Sequence, residues 1–188
     1  PVSLDAVIAG LRGVVVGAAG VYATTTHDGI GVVCGAVSGH LEMLELEGRA
    51  LVEGYGGRFR DACRDNGIEH VLNTVMNGCR TRSPGGGYHF WYRVAGGAVH
   101  GNTKLARRPA TADELAANPD ERVKVLIETR GEGGQAIVPP SNGRTHPSGK
   151  AWVLDEGSPA TIPTITADER DMLHAVATLL DEMPVDIG

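Results

Sequence analysis

Polar and apolar residues alternate most clearly over residues 40–47, HLEMLELE, and this alternation predicts a β-strand. One face of the strand would carry Leu41, Met43, Glu45 and Glu47. The other face would carry Glu42, Leu44 and Leu46. Just before it, an apolar run bounded by glycines, residues 29–35, predicts a buried strand. The pattern therefore places two carboxylates side by side on one strand face.

Helical spacing follows this strand directly. Four apolar or aromatic residues recur at four-residue intervals within residues 48–65: Leu51, Tyr55, Phe59 and Cys63. This spacing predicts one amphipathic helix despite the glycines at positions 54, 56 and 57. Residues 4–11 predict another short helix near the start of the chain.

A turn-rich segment, SPGGG at residues 83–87, separates two extended runs. One run is centred on Val75 and Met76 and the other covers residues 88–94, which predicts an antiparallel pair of strands. One face of the second strand would carry Tyr88, Phe90, Tyr92 and Val94. The other face would carry His89, Trp91 and Arg93.

Short helices and strands alternate in the second half of the chain. Capping boxes at residues 111–114 and 166–169 predict two helix starts, and residues 123–129 and 135–138 predict two strands. The last helix would have an apolar stripe formed by Met172, Val176, Leu179, Leu180 and Met183. Together the elements predict an α+β fold with a mixed or antiparallel central sheet flanked by helices.

Composition excludes several classes of protein. The chain has 188 residues, the size of one domain, with 41% hydrophobic and 21% charged residues, as in globular proteins. No apolar run reaches the ~18 residues of a membrane helix, so we expect no membrane partner. The net charge of −6 excludes a broadly basic surface, so any nucleic-acid contact would be local. Three widely spaced cysteines indicate reduced thiols and a cytoplasmic location.

Glu45 and Glu47 are the first candidates for chemistry. Two residues apart on a strand, they have Cα atoms ~6.6 Å apart and side chains on the same side. Such a pair can converge on two divalent cations ~3.5–4 Å apart. The alternative is a solvated acidic face. Leu41 and Met43 weigh against that alternative, because carboxylates on a partly apolar face need a cation or another partner.

Glu128 and His89 each have two open interpretations. Glu128 lies near the end of a predicted strand, where it is either a third carboxylate of the same site or a member of a surface ladder with Lys124 and Arg130. His89 follows the glycine-rich turn and is either a packed side chain or a ligand. The glycines of that turn would let a phosphate approach the backbone.

In its order of motifs, the chain resembles the bifunctional DNA primase-polymerase family of the archaeo-eukaryotic primase superfamily, over roughly residues 29–155. The acidic pair ELE at residues 45–47 is followed by SPGGGYH at residues 83–89. The later motifs are IETRGEGG at residues 127–134, VPPS at residues 138–141 and HPSGK at residues 146–150. That family has a paired acidic motif, a T-P-S/T-G-G-x-H motif, and a third acid before R-G-x-G-G and P-P-S. Glutamates stand here where aspartates are usual in the paired motif, and Gly85 stands where Ser or Thr is usual. The resemblance implies a primase-polymerase core of RRM-like architecture.

The resemblance also implies roles for individual residues. The catalytic residues, which would hold two Mg²⁺ or Mn²⁺ ions, would be Glu45, Glu47 and Glu128. The nucleotide-binding residues would be Ser83, Gly86, Gly87, His89, Arg130 and Ser141. Local basic clusters would contact the nucleic-acid backbone instead of only solubilising the surface, and they contribute Arg82, Arg93, Lys104 and Arg107.

The implied activity is that of a DNA-dependent primase/polymerase, which makes or extends primers from nucleoside triphosphates on single-stranded DNA during replication. We expect residues 1–188 to be one catalytic domain of a longer phage or mobile-element replication protein, with a fused or associated helicase. Two alternatives stay open. One is a nucleic-acid-binding replisome module without catalysis, and the other is a metal-dependent phosphodiesterase that uses the same carboxylates on water.

Overall fold

The computed structural model describes residues 15–16, 21–22 and 29–184, which form two sheets and five helices of an α+β fold. The strands are β1 (Val15–Val16), β2 (Val21–Tyr22), β3 (Ile30–Val33), β4 (Leu41–Leu46), β5 (Cys79–Arg82), β6 (Tyr88–Ala95), β7 (Thr103–Pro109), β8 (Val123–Arg130), β9 (Gln135–Val138), β10 (Val153–Glu156) and β11 (Thr164–Thr166). The helices are α1 (Gly48–Val52), α2 (Tyr55–Asp65), α3 (Glu69–Gly78), α4 (Ala112–Ala117) and α5 (Ala167–Thr178). The helix predicted over residues 4–11 lies outside the described residues.

The larger sheet has the strand order β10-β5-β6-β4-β8-β7, and β11 also pairs with β6. The β11–β6 pairing is parallel, whereas the pairings along the main order are antiparallel. The prediction of a mixed sheet is therefore confirmed. β4 lies between β6 and β8, so the HLEMLELE segment is at the centre of the sheet.

The main core lies between one face of this sheet and helices α2, α3 and α5. From the sheet, Leu44, Phe90 and Tyr92 point into it, and from the helices Phe59 and Leu72 do so. These residues are each at most 3% exposed. The faces predicted for the strands at 40–47 and 88–94 are therefore confirmed, because their alternate residues pack on opposite sides of the sheet.

The single helix predicted over residues 48–65 is wrong in one respect, because the structure contains two helices there. The chain breaks the helix at Gly54, whose φ of 84° lies in the left-handed region. Glycine adopts this conformation without the steric cost that a Cβ would impose. The break turns α2 so that its Tyr55, Phe59 and Cys63 are buried, as their spacing predicts.

The strand predicted around Val75 and Met76 is also wrong, because both residues belong to α3. Val71 and Val75 are one helical turn apart and both are buried in the main core, so helix packing decides the conformation of this apolar run. The antiparallel pair predicted across residues 83–87 does exist, but its first strand is β5, which starts only after α3 ends.

A smaller core covers the other face of the sheet. Its residues come from the large sheet and from the segment around the smaller sheet, β1-β2-β3-β9: Cys34, Leu41, Met43, Cys79, Trp91 and Ala136. The three cysteines at positions 34, 63 and 79 are buried free thiols, as predicted. This second face also carries Glu45, because successive side chains of β4 point to opposite faces of the sheet.

Helix α5 begins with the predicted capping box, in which Thr166 and Glu169 exchange side-chain and backbone hydrogen bonds. The predicted apolar stripe is only partly right, because Met172 is 43% exposed and Leu179 is 65% exposed. The buried positions include Leu173 and the charged Arg170. Arg170 points inward, towards the buried carboxylate of Glu42 on β4. The pattern of apolar residues along the helix does not reveal this ion pair.

No helix among the described residues is long and apolar enough to cross a membrane.

Candidate metal centre and its surroundings

Three carboxylates converge on the face of the sheet opposite the main core. Glu45 and Glu128 are cross-strand neighbours on β4 and β8, and Glu47 directly follows β4. One carboxylate oxygen from each lies within 4.8 Å of the others. Strand alternation brings Glu45 and Glu47 to the same side, and the antiparallel register adds Glu128.

The surface ladder considered for Glu128 forms only in part. Arg130 Nη2 lies 2.5 Å from Glu128 Oε1, so this pair exists. Lys124, in contrast, pairs with Glu121 at 2.8 Å. Glu128 therefore belongs to the acidic group and has one basic neighbour on its own strand.

Burial and neighbouring carboxylates oppose the ionisation of Glu47 and Glu128. Burial raises the pKa of Glu47 to about 7, and the charges of Glu45 and Glu128 add to the shift while Arg49 opposes it. Burial also raises the pKa of Glu128, and Arg130 opposes that shift most strongly. A bound cation would reverse these effects, because it stabilises the ionised carboxylates.

The donor set fits a hard divalent cation. All three side chains offer carboxylate oxygens, which Mg²⁺ and Mn²⁺ prefer, and their mutual distances let them share one or two ions. No imidazole or thiolate belongs to this group of ligands within the described residues. The chemistry of the donors therefore agrees with the cofactors expected from the sequence.

His89 lies beside this group, opposite Glu45 in the register of β6 and β4. Its Nε2 is 3.1 Å from Glu45 Oε1, yet neither ring nitrogen makes a hydrogen bond of suitable geometry with another described residue. The side chain is only 3% exposed, and its ring lies next to the rings of Trp91 and Trp152. A buried imidazole without hydrogen bonds is costly, so a polar ligand at this position would be favoured.

The glycine-rich turn between β5 and β6 is held against the end of β4. Ser83 closes the turn, because its Oγ accepts a hydrogen bond from the Gly87 N–H at 3.0 Å. A Cβ on Gly87 would lie 2.8 Å from the Leu46 carbonyl oxygen, and one on Gly48 would lie 2.1 Å from that of Gly85. Glycine at these positions therefore lets the turn touch the backbone on both sides of Glu47.

Three of the four basic residues predicted to contact nucleic acid already have partners. Arg82 pairs with Asp155 at 2.5 Å and Arg107 pairs with Asp181 at 2.9 Å. Arg93 donates hydrogen bonds to the carbonyl oxygens of Ser38 and Gly39.

Lys104 differs from these three residues. It lies opposite Glu128 in the register of β7 and β8, is exposed, and makes no ion pair within the described part of the chain. It extends a row across the sheet that runs Thr81, His89, Glu45, Glu128, Lys104. Of the four basic residues, Lys104 is the one whose backbone position adjoins the acidic group and whose side chain makes no ion pair in that part, although its charge acts to lower the pKa of Glu128.

Ser141 is placed differently from the other predicted nucleotide-binding residues. It is 3% exposed, and its Oγ accepts a hydrogen bond from the Ile30 N–H at 2.7 Å. Its hydroxyl therefore fastens the following segment to β3. The sequence interpretation missed Trp152, whose ring centroid lies 5.4 Å from that of His89. An aromatic residue two positions after the HPSGK motif was the available signal.

A family model described as "Bifunctional DNA primase/polymerase, N-terminal" matches residues 14–165. The matched range contains the three carboxylates, the glycine-rich turn and Trp152, and it stops just before α5. Among curated proteins, none matches this chain.

Proposed function

The chain belongs to the bifunctional DNA primase/polymerase N-terminal family, and from this membership we propose that it is a DNA-dependent nucleotidyltransferase that synthesises or extends primers by two-metal catalysis. Its substrates are nucleoside triphosphates, a single-stranded DNA template and a primer. A fused or associated helicase is the expected replication partner.

The proposal is carried by the convergence of Glu45, Glu47 and Glu128. On this sheet face, burial and the charges of neighbouring carboxylates raise the pKa of Glu47 and of Glu128, so these two groups would gain from a bound cation. Three carboxylates contribute a charge of −3, and two divalent ions contribute +4. The loaded site would have a net charge of +1, so it would attract a triphosphate although the protein as a whole is acidic.

Each carboxylate has a distinct position in this proposal. Glu45 and Glu47 would hold the ions from β4 and the residue that follows it, and Glu128 would hold them from β8. The bound ions would activate the primer 3′-hydroxyl and neutralise charge on the reacting phosphate and the leaving pyrophosphate. Arg130 keeps Glu128 oriented through their ion pair.

The nucleotide is assigned to the space between the acidic group and the glycine-rich turn. Gly86 and Gly87 allow close approach of phosphate oxygens to the turn, and Ser83 keeps the turn closed. His89 donates to the phosphate chain, which would satisfy its buried imidazole. Ser141 acts through the backbone by fixing the neighbouring loop.

The nucleic-acid backbone is assigned to the side of the site where Lys104 lies. Arg107 lies further along the same strand and is held by Asp181, so it would add positive charge with little freedom to move. Arg82 and Arg93 would contribute from the β5–β6 side in the same restrained way. Neutralising DNA phosphates with these side chains predicts binding that weakens as the salt concentration rises.

One experiment separates this function from the two alternatives. A labelled primer annealed to a template is incubated with the protein, Mn²⁺ and dNTPs or NTPs. Extension supports the nucleotidyltransferase, and shortening supports a metal-dependent phosphodiesterase. Retention of the primer on a gel without any change in its length would instead indicate a binding module and would contradict the proposal.

A further inference from the structure

Residues 141–152, here called the basic loop, form a closed loop next to the candidate site. The backbone N–H of Trp152 donates a hydrogen bond to the Ser141 carbonyl oxygen at 2.8 Å, so the two ends of the loop meet. The loop packs directly on Gly29, where a Cβ would lie 2.5 Å from Thr145 Cγ2. These contacts fix the loop in place against β3.

The basic loop holds His146 in one tautomer. Its Nδ1 accepts a hydrogen bond from the Ser148 backbone N–H at 3.1 Å and also contacts Ser148 Oγ at 2.8 Å. A backbone N–H can only donate, so Nδ1 must be the unprotonated nitrogen. The proton of the neutral ring is therefore on Nε2, which makes no hydrogen bond within the described part of the chain.

This free donor faces the glycine-rich turn. A Cβ built on Gly85 would lie 4.0 Å from His146 Nε2 and 3.9 Å from Ser83 Oγ, so both polar groups converge on the side of Gly85 that lacks a side chain. Trp152 connects the loop to the rest of the site, because its ring contacts those of both His146 and His89. The turn and the basic loop thus border one space beside the acidic group.

The charge of the loop suits an anionic ligand. Between Ser141 and Trp152 the sequence contains Arg144, His146 and Lys150 and no acidic residue, although the protein has a net charge of −6. We infer that the basic loop is a second phosphate-binding element of the site, and that His146 Nε2–H donates to the polyphosphate chain of the incoming nucleotide. This inference rests on the proposed function, and it adds a specific donor to it.

Two substitutions distinguish the contributions of the two ring nitrogens of His146. His146→Gln places an amide N–H close to the position of Nε2 but loses the contact made by Nδ1. His146→Asn keeps an acceptor near Nδ1 for the Ser148 N–H but has no donor at Nε2. His146→Ala removes both, and thermal unfolding of each variant checks that it is folded.

The measurement is calorimetric binding of inorganic tripolyphosphate and of a nucleoside monophosphate to each protein in the presence of Mg²⁺. We expect His146→Ala and His146→Asn to bind tripolyphosphate roughly tenfold more weakly than the unsubstituted chain, as for one lost hydrogen bond to a charged group. His146→Gln should stay within about threefold of the unsubstituted chain. Binding of the monophosphate should change in none of them.

Each contrary result has a separate meaning. Equal tripolyphosphate binding by all four proteins overturns the role of His146, while primer extension by the unsubstituted chain would leave the proposed function standing. Retained binding in His146→Asn with loss in His146→Gln assigns His146 to loop structure and also overturns the inference. If the unsubstituted chain binds neither tripolyphosphate nor nucleoside triphosphate, the inference and the nucleotide part of the proposed function both fail.

Discussion

Glu45 and Glu128 lie directly opposite each other on the adjacent antiparallel strands β4 and β8. Like charges in such a pair destabilise a sheet. Arg130 offsets the charge of Glu128, and Glu47 adds a third carboxylate to the same group. The sheet therefore carries an electrostatic cost at this position that a divalent cation would relieve.

Replacing Glu45 or Glu47 by alanine should abolish nucleotide incorporation and leave the protein folded. Each change deletes a proposed metal ligand and also relieves carboxylate repulsion, so thermal stability without metal should stay equal or rise. We expect primer extension to fall by at least about a hundredfold, because even changes around metal ligands cost ~10–100-fold. Primer extension and calorimetric titration with Mn²⁺ measure the two effects.

The matched control for these variants is Glu156→Gln, which removes a negative charge from an exposed position on β10. It should extend primers and bind Mn²⁺ like the unsubstituted chain. Unchanged incorporation by a folded Glu45→Ala, Glu47→Ala double variant would discard the two-metal assignment.

Glu128→Gln distinguishes the metal role of this residue from its ion pair with Arg130. If only the ion pair matters, removing the charge should cost ~0–1 kcal/mol of stability and leave the chemistry unchanged. If Glu128 holds a cation, incorporation should fall strongly across an Mn²⁺ titration, while unfolding without metal changes little. We expect the second result. Extension at the unsubstituted rate at every Mn²⁺ concentration would assign Glu128 to the ion pair alone.

His89→Ala should weaken nucleotide binding more than template binding. The lost interaction is one hydrogen bond to a charged phosphate, which corresponds to about 1.5–3 kcal/mol, or ten- to a hundredfold in affinity. Steady-state extension at varied nucleotide concentration and gel retention of the template measure the two quantities. His70→Ala, at an exposed position on α3, is the control. An unchanged nucleotide dependence would make His89 a packing residue only.

The acidic group could be predicted from the sequence because strand alternation is a local property. The run HLEMLELE fixes which side chains share a face, and the structure places Glu45 and Glu47 on the predicted side. The contribution of Glu128 depends on the strand order, which alternation does not encode. Only the resemblance of the ordered motifs indicated that Glu128 would join Glu45 and Glu47.

The ion pairs of the basic residues could not be predicted in this way. Arg82 and Arg107 pair with Asp155 and Asp181, which are more than 70 residues away in sequence. Such pairs depend on the tertiary arrangement of β10 and of the segment after α5. For the same reason, the stripe predicted for α5 missed Arg170, whose partner Glu42 lies on β4.

Gly48→Ala should displace the glycine-rich turn and reduce incorporation. The added Cβ would lie 2.1 Å from the Gly85 carbonyl oxygen, so the turn or α1 must move. We expect a loss of about 1–3 kcal/mol in stability together with weaker nucleotide binding.

Gly57→Ala is the matched control for Gly48→Ala. Gly57 lies within α2, and a Cβ there would meet no atom within 4 Å. Alanine should therefore stabilise the protein by up to about 1 kcal/mol through helix propensity. Nucleotide incorporation should stay unchanged. Equal behaviour of the two variants would show that the close contact between Gly48 and the turn does not matter.

On the main-core side of the sheet, Tyr92 joins a buried carboxylate to a histidine of α5. The Tyr92 hydroxyl lies 2.9 Å from Glu42 Oε2 and 2.9 Å from His174 Nε2, and Arg170 Nη1 lies 3.7 Å from Glu42 Oε1. Burial lowers the pKa of His174 to about 4, and the charge of Arg170 lowers it further. Asp171 acts in the opposite direction.

This shift predicts a loss of stability in acid. Between pH ~6.5 and ~4 the unfolded chain protonates His174 while the folded protein does not, so the unfolded state binds more protons and stability falls as the pH falls through this window. His174→Gln keeps a polar group for the Tyr92 hydroxyl but cannot titrate. Denaturant unfolding at several pH values should show that the unsubstituted chain loses up to about 3 kcal/mol more than His174→Gln on going from pH 7 to pH 4. His70→Gln, at an exposed position on α3, is the control and should unfold like the unsubstituted chain at each pH. Parallel pH profiles for the unsubstituted chain and His174→Gln would mean that α5 admits a charged histidine at this position.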